Sequence, residues 1–141
     1  MLKTINPLLT GDLIAILADM GHGDEIVIAD ANFPAVTAAE HLVQMPGIDA
    51  CAVLEAILSL MPLDDFVDYP AGVMDAPGER PVIYAEFETI IERAENRKIE
   101  LNLIDRFAFY DRSKAAFAVV STGERRLYGN IILKKGVVRP A

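Results

Sequence analysis

The run from Met20 to Asp30 sets a histidine, His22, between Gly21 and Gly23, and follows it with an apolar stretch that ends in an aspartate. A histidine in this setting has little local packing, sits on backbone free to take unusual dihedrals, and carries the side chain best suited to exchange protons near neutral pH. Taken alone, His22 reads either as a proton carrier or as a loop histidine bonded to backbone. Asp30 reads either as a ligand-binding carboxylate or as a turn former. Arg106, directly after Asp105, either grips a ligand with its donor fork or pairs with surface carboxylates. Tyr128, in the segment Tyr128-Gly129-Asn130, either offers its hydroxyl to a ligand or packs as an aromatic.

Other chemistries fit less well. A dinucleotide fingerprint beginning at Gly21 needs a third glycine where Ile26 stands, and a strand before it where the pattern is helical. With two histidines and one cysteine, no metal-ligand spacing emerges. Cys51 reads as a small hydrophobe in the first turn of an apolar helix, and His41 as a solvated or locally bonded loop residue. The pair Asp64-Asp65 reads as a solvated turn, and Arg125-Arg126 and Lys134-Lys135 as surface charge near strand ends.

The elements that must position these groups alternate. Thr10 caps a helix through Leu13, Ile14 and Leu17, for which Gly21 is the expected left-handed stop. Glu25 to Ala29 is a short buried strand, β-branched at its centre, with Asp30 at its carboxyl end and Asn32-Phe33-Pro34 as a turn. From Phe33 to Gly47 the pattern is weak. Asp49 caps a helix through Val53, Leu54, Ile57 and Leu58; Ala71 to Met74 reads as a strand. Pro81 opens an amphipathic helix carrying Ile83, Phe87, Ile90, Ile91 and Ala94. Ile99 to Ile104 reads as a strand, Phe107 to Lys114 as a short helix, and Phe117 to Val120 and Ile131 to Leu133 as strands joined through a turn-rich Ser121 to Arg126. This alternation predicts a single α/β domain over residues 1–141, a layered fold with a largely parallel or mixed central sheet flanked by helices. Ligands gather at strand ends in such sheets.

Composition bounds the partners. The 141 residues are 52% hydrophobic and carry a formal net charge of -8, enough for one real core and a poor match for nucleic acid or an anionic membrane. The longest apolar runs fall far short of the roughly 20 residues that span a bilayer. The lone cysteine and the absence of a signal-like start at Met1-Leu2-Lys3-Thr4 point to the cytoplasm.

Four separated segments agree in order and spacing with one family: Met20 to Val27, Asp30 to Pro34, Arg106 to Arg112, and Thr122 to Gly136. Through them the chain resembles the ribose pyranase and L-fucose mutarotase family nearly end to end, from Leu2-Lys3 onward. The stretch from Thr37 to Ala94 resembles it only in general pattern. The Gly-His-Gly-Asp-Glu form and the Arg-Phe-x-Phe-Tyr segment resemble the fucose branch more than the ribose branch, where another residue type tends to stand at the Arg106 position.

This resemblance implies interconversion of sugar anomers without a cofactor. By position it implies His22 as proton donor and Asp30, Arg106, Tyr128, Gly129 and Asn130 as sugar-binding residues. It also implies a monosaccharide substrate and ring-shaped homo-oligomers, often decamers of two stacked pentamers, whose pocket a neighbouring subunit can complete. Two alternatives stay open at this stage. One is a ribose-type exchange of pyranose and furanose forms; the other is a non-catalytic monosaccharide-binding module, which would keep Asp30, Arg106 and Tyr128-Gly129-Asn130 without needing His22.

Overall fold

The structure is a computed structural model that describes every residue from Met1 to Ala141. Its elements in chain order are α1 (Gly11–Asp19), β1 (Glu25–Ala29), α2 (Ala35–Ala38), β2 (Leu42–Met45), α3 (Ala50–Leu58), β3 (Ala71–Met74), α4 (Val82–Glu95), β4 (Asn102–Ile104), α5 (Arg106–Ala115), β5 (Ala118–Thr122) and β6 (Ile131–Lys134). The strands form one sheet in the order β2-β5-β1-β6-β3-β4. Neighbours pair in parallel except at β6, which runs antiparallel to both β1 and β3. The expected α/β layered fold is therefore present, and its sheet is mixed.

Alternation along β1 distributes the core. Ile26 and Ile28 face one side of the sheet, where α1, α3 and α4 bring Leu13, Leu17, Leu54, Ile57, Phe87 and Ile91. Val27 and Ala29 face the other, where Ala35 and Ala38 of α2 and Phe109 of α5 close a smaller layer. With helices on both faces, β1 is covered all round, which is why its sequence is continuously apolar rather than alternating.

Local signals account for most boundaries. The Thr10 hydroxyl accepts from the Leu13 N–H at 3.2 Å, and the Asp49 carboxylate from the Ala52 N–H at 2.8 Å, so both predicted caps are formed. The end of α1 differs from expectation. Met20 leaves the helix in an extended conformation, and the Lys135 ammonium donates to the carbonyls of Leu17, at 2.7 Å, and Met20. A cation on the helix's carbonyl end does the work that a left-handed Gly21 would have done. The left-handed residue of this loop is Gly23, at φ 88°.

Four further expectations need adjusting. The weakly patterned stretch holds α2 and β2; β2 is an edge strand whose residues alternate exposed and buried, and α2 is a single turn, too short to show a period. The strand expected from Ile99 is confined to β4. Ser121 and Thr122, expected in a turn, extend β5, because both pair with β2. Pro81 is the residue before α4 rather than its first.

Because β1, β2, β3, β4 and β5 all point the same way, the carboxyl ends of these strands share one edge of the sheet with the start of β6. The opposite edge collects their amino ends with the end of β6.

Candidate functional site

Asp30, one residue beyond β1, is only 5% exposed. It exchanges two hydrogen bonds with Asn130, one residue before β6: the Asp30 N–H donates to the Asn130 side-chain oxygen at 2.6 Å, and the Asn130 amide donates to the Asp30 carboxylate at 3.0 Å. The other carboxylate oxygen accepts from the Asn32 N–H at 2.9 Å. Burial pushes the Asp30 carboxyl above the usual aspartate range, and the donors from Asn32, Asn130, Phe33 and Gly129 offset that only in part. The two residues lie side by side because β1 and β6 are antiparallel neighbours, with Ile28 opposite Ile131.

Around this pair lies a cleft of about 160 Å³ lined by Asp30, Asn32, Phe33, Met74, Arg106, Tyr110, Leu127, Tyr128 and Asn130. Arg106 enters from the first turn of α5, which Asp105 caps through the N–H groups of Phe107 and Ala108. Its guanidinium lies over the Phe107 ring, 4.9 Å from the centroid. A cation in a helix's first turn opposes the macrodipole, so helix stability does not explain Arg106. Tyr128 is held in the left-handed region, at φ 62°, a conformation uncommon for a non-glycine residue. A lining that combines polar donors and acceptors with Phe33, Met74 and Leu127 suits a small polyol with an apolar edge.

Gly129 has a packing reason of its own: a Cβ on it would lie 2.7 Å from the Glu124 side chain and 3.0 Å from the Arg126 carbonyl. The absent side chain makes room for the protein's own packing behind the loop.

His22 is elsewhere. It lies three residues before β1 while Asp30 lies one residue after, so the ~17 Å length of a five-residue strand separates them. The structure brings Asp30, Arg106, Tyr128 and Asn130 together within one chain and leaves His22 at the opposite edge of the sheet. Its loop is tightly defined: the Gly21 N–H donates to the Asp24 carboxylate at 2.7 Å, and the Gly23 N–H to the Lys135 carbonyl at 2.9 Å. The imidazole Nε2 meets the Asp64 carboxylate at 3.0 Å, and the ring stands 5.1 Å from that of Phe66. The histidine keeps 44% of its side-chain surface, whereas Asp64 keeps 4%.

Asp64 thus corrects the expectation of a solvated turn. Burial pushes its carboxyl up, but hydrogen bonds from His22 and the Phe66 N–H, with the charges of His22 and Lys134, outweigh this and hold it below the usual range. With Asp64 accepting from Nε2, the ring's Nδ1 is the nitrogen left without a partner.

A family model described as the RbsD / FucU transport protein family matches residues 3–138. The chain belongs to this family. It is similar to the fucose mutarotase of Mus musculus, 46% identical over 146 residues that cover 97% of this chain and 95% of the relative. Its fold matches the crystal structure of the fucose mutarotase in complex with L-fucose from Streptococcus pneumoniae, with a TM-score of 0.93 and 43% identity over 98% of this chain and 100% of that one. The Bacillus subtilis RbsD complexed with D-ribose is more distant, with a TM-score of 0.77 and 27% identity over 99% of this chain and 100% of that one. The resemblance carried by the four motifs extends over nearly the whole chain and leans to the fucose branch. Although the family's description names transport, no helix here is long and apolar enough to cross a membrane.

Within this family frame, sequence reasoning missed Asp64, Asn32 and Tyr110. Tyr110 had a usable signal: it stands four residues after Arg106, so the two share a face of α5. Asp64 had none, since its partner is 42 residues away in the chain. Cys51 is half-buried, its thiol pushed up to about 11 by burial and by Glu86, which agrees with its reading as a packed residue rather than a nucleophile.

Proposed function

We propose that this protein is an isomerase that interconverts the α and β anomers of L-fucose, or a closely related pyranose, by acid/base ring opening. The observation that carries the reading is the strand-end cleft, with its buried Asp30–Asn130 pair and the Arg106 fork, in a chain 43% identical to a fucose mutarotase solved with L-fucose. Asp30 and Asn130 accept from and donate to ring hydroxyls, Arg106 donates to a hydroxyl or the ring oxygen, and Tyr128 adds its own hydroxyl. Phe33, Met74 and Leu127 offer an apolar wall to the deoxy carbon of a 6-deoxy sugar.

Mutarotation removes the proton of the anomeric hydroxyl and protonates the ring oxygen, so the ring opens to an aldehyde. The carbonyl then turns and the reverse steps close the ring on its other face. No electron changes hands and no bond to the protein forms. An imidazole serves either proton step, and such assistance is worth about 100- to 10,000-fold, roughly 3 to 5 kcal/mol of barrier.

His22 supplies this proton from a neighbouring subunit. The histidine edge of one chain meets the cleft edge of the next, and such a head-to-tail contact closes into a ring when its rotation permits. Exposed apolar groups flank both edges: Phe66 and Val138 near His22, and Phe107 and Leu127 at the cleft. A pentameric ring, doubled into a decamer, satisfies this requirement.

Saturation-exchange NMR on the two anomers of L-fucose tests the reading. The protein is expected to accelerate exchange for L-fucose more than for D-ribose. Binding without acceleration for any sugar would leave a monosaccharide-binding module, and preference for D-ribose would favour pyranose–furanose exchange.

A further inference from the structure

The cleft's polar loop rests on a buried carboxylate that does not line it. Glu124, two residues beyond β5, is 4% exposed. Its main chain faces the β1 end of the cleft: its carbonyl accepts from the Ala31 N–H at 2.8 Å, and its N–H donates to the Thr122 hydroxyl at 3.1 Å, which itself donates to the Ala29 carbonyl at 2.7 Å. Its side chain faces the other wall. One carboxylate oxygen accepts from the Arg126 N–H at 3.3 Å and Nε at 3.2 Å; the other accepts from Nη2 at 2.9 Å. The remaining Arg126 nitrogen, Nη1, pairs with Glu86 of α4.

The same side chain lies directly beneath Gly129, as the 2.7 Å approach of a Cβ there to the Glu124 side chain demonstrates. Glu124 therefore touches the residue after Asp30, the residue between Tyr128 and Asn130, and the start of the loop that leads to them. A loop holding a tyrosine in the left-handed region needs its neighbours over-determined to keep that conformation. The bidentate pair supplies this, since the planar guanidinium and the carboxylate fix one another's orientation. Leaving the buried Glu124 carboxylate without its half-exposed partner costs more than the pair itself contributes.

We infer that Glu124, clamped by Arg126, is a positioning residue for sugar binding: it sets the 125–130 loop so that Tyr128 and Asn130 meet the substrate, without touching the substrate itself. The inference rests on the sugar-binding reading of the cleft. It separates Arg126 from the surface charge that the pair Arg125-Arg126 resembles in the sequence, because Arg126 is held between two carboxylates.

The test measures both L-fucose affinity by calorimetry and anomer exchange by NMR on the intact protein, with folding followed by circular dichroism. Glu124→Ala is expected to raise the dissociation constant and KM ~10-fold with kcat within ~3-fold of the parent, and Glu124→Gln, which keeps an acceptor for the Arg126 N–H, to raise them ~3-fold. In an Asn130→Ala background Glu124→Gln is expected to add little, because the two changes remove one arrangement. Glu88→Gln, which breaks the ion pair between Glu88 of α4 and Arg80 ahead of that helix, should change neither constant. A folded Glu124→Ala protein with unaltered affinity would overturn the inference. So would a fall in kcat at constant KM, or unfolding of both Glu124 variants. A parent protein that binds L-fucose without exchanging its anomers would remove the catalytic reading while the affinities still decide the role of Glu124; one that binds no sugar would overturn both.

Discussion

The two ends of β1 are built differently. At the carboxyl end, Asp30 is buried, its carboxylate shared among donors from both flanking loops, and the surrounding side chains arrive from several strand ends and from α5. At the amino end, His22 stands half-exposed on a glycine loop, held by one buried carboxylate and an aromatic ring. A binding surface for hydroxyls works best when its groups are fixed beforehand. A proton carrier must present a free ring nitrogen to its substrate, and the half-exposed His22 leaves one facing away from its own chain's cleft. The difference is what the proposed division of labour between neighbouring subunits requires.

The largest effect is expected at the histidine. With His22 as the proposed proton donor, outside its own chain's cleft, His22→Ala should slow anomer exchange about 100- to 10,000-fold while leaving L-fucose affinity nearly unchanged. Exchange rates and calorimetry on the same sample check this split. Equal losses of rate and affinity would place His22 in binding instead.

Asp64→Asn should slow exchange by a smaller factor, ~10- to 100-fold, the equivalent of one charge-assisted hydrogen bond of ~1.5–3 kcal/mol. It should also alter stability with pH. The Asp64 carboxyl is held below its unfolded value near ~3.9, so its stabilisation is complete above that value and lost as pH falls through the lower folded one. Urea unfolding at neutral pH and near pH 3 should show the gap between parent and Asp64→Asn closing on the acid side.

At the cleft, Asp30→Asn should raise KM ~10-fold, with a smaller effect on kcat. The Asp30 carboxyl lies above the ordinary aspartate range, so its anionic acceptor is lost at a higher pH than an exposed aspartate's would be. Affinity for L-fucose should therefore weaken on the acid side as pH falls through that raised value, and Asp30→Asn should flatten the profile.

The smallest effect is expected behind the histidine loop. Lys135→Met removes the cation from the α1 carbonyls of Leu17 and Met20 and should cost about 1 kcal/mol, a few degrees of Tm. Thermal unfolding measures it.

What the sequence made legible follows the same division. Strands buried on both faces, such as Glu25–Ala29 and Ala71–Met74, announce themselves as apolar runs, and Thr10 and Asp49 mark helix starts through local hydrogen bonds that any reader of the sequence can anticipate. The edge strand Leu42–Met45 and the one-turn helix before it carry too few residues to show a period. The motif residues of the cleft all lie near strand ends, but it was the family resemblance, through their order and spacing, that singled them out. Asp64 and Glu124 were not, because a buried carboxylate is a tertiary fact: its partner or its roof comes from chain folded over it, as His22 does for Asp64 and Gly129 for Glu124. The separation of His22 from Asp30 was implicit in the strand between them, whose length alone keeps its two ends apart.

Whether one subunit's histidine serves its neighbour's cleft can be read from subunit mixing. His22→Ala and Arg106→Ala proteins, each nearly inactive alone, would be co-expressed so that their chains assemble together. In a head-to-tail ring one junction in about four joins an intact cleft to an intact histidine, so activity should recover to roughly a quarter of the parent's. Recovery no greater than the sum of the two variants alone would place the whole site within a single chain and rule out sharing between subunits.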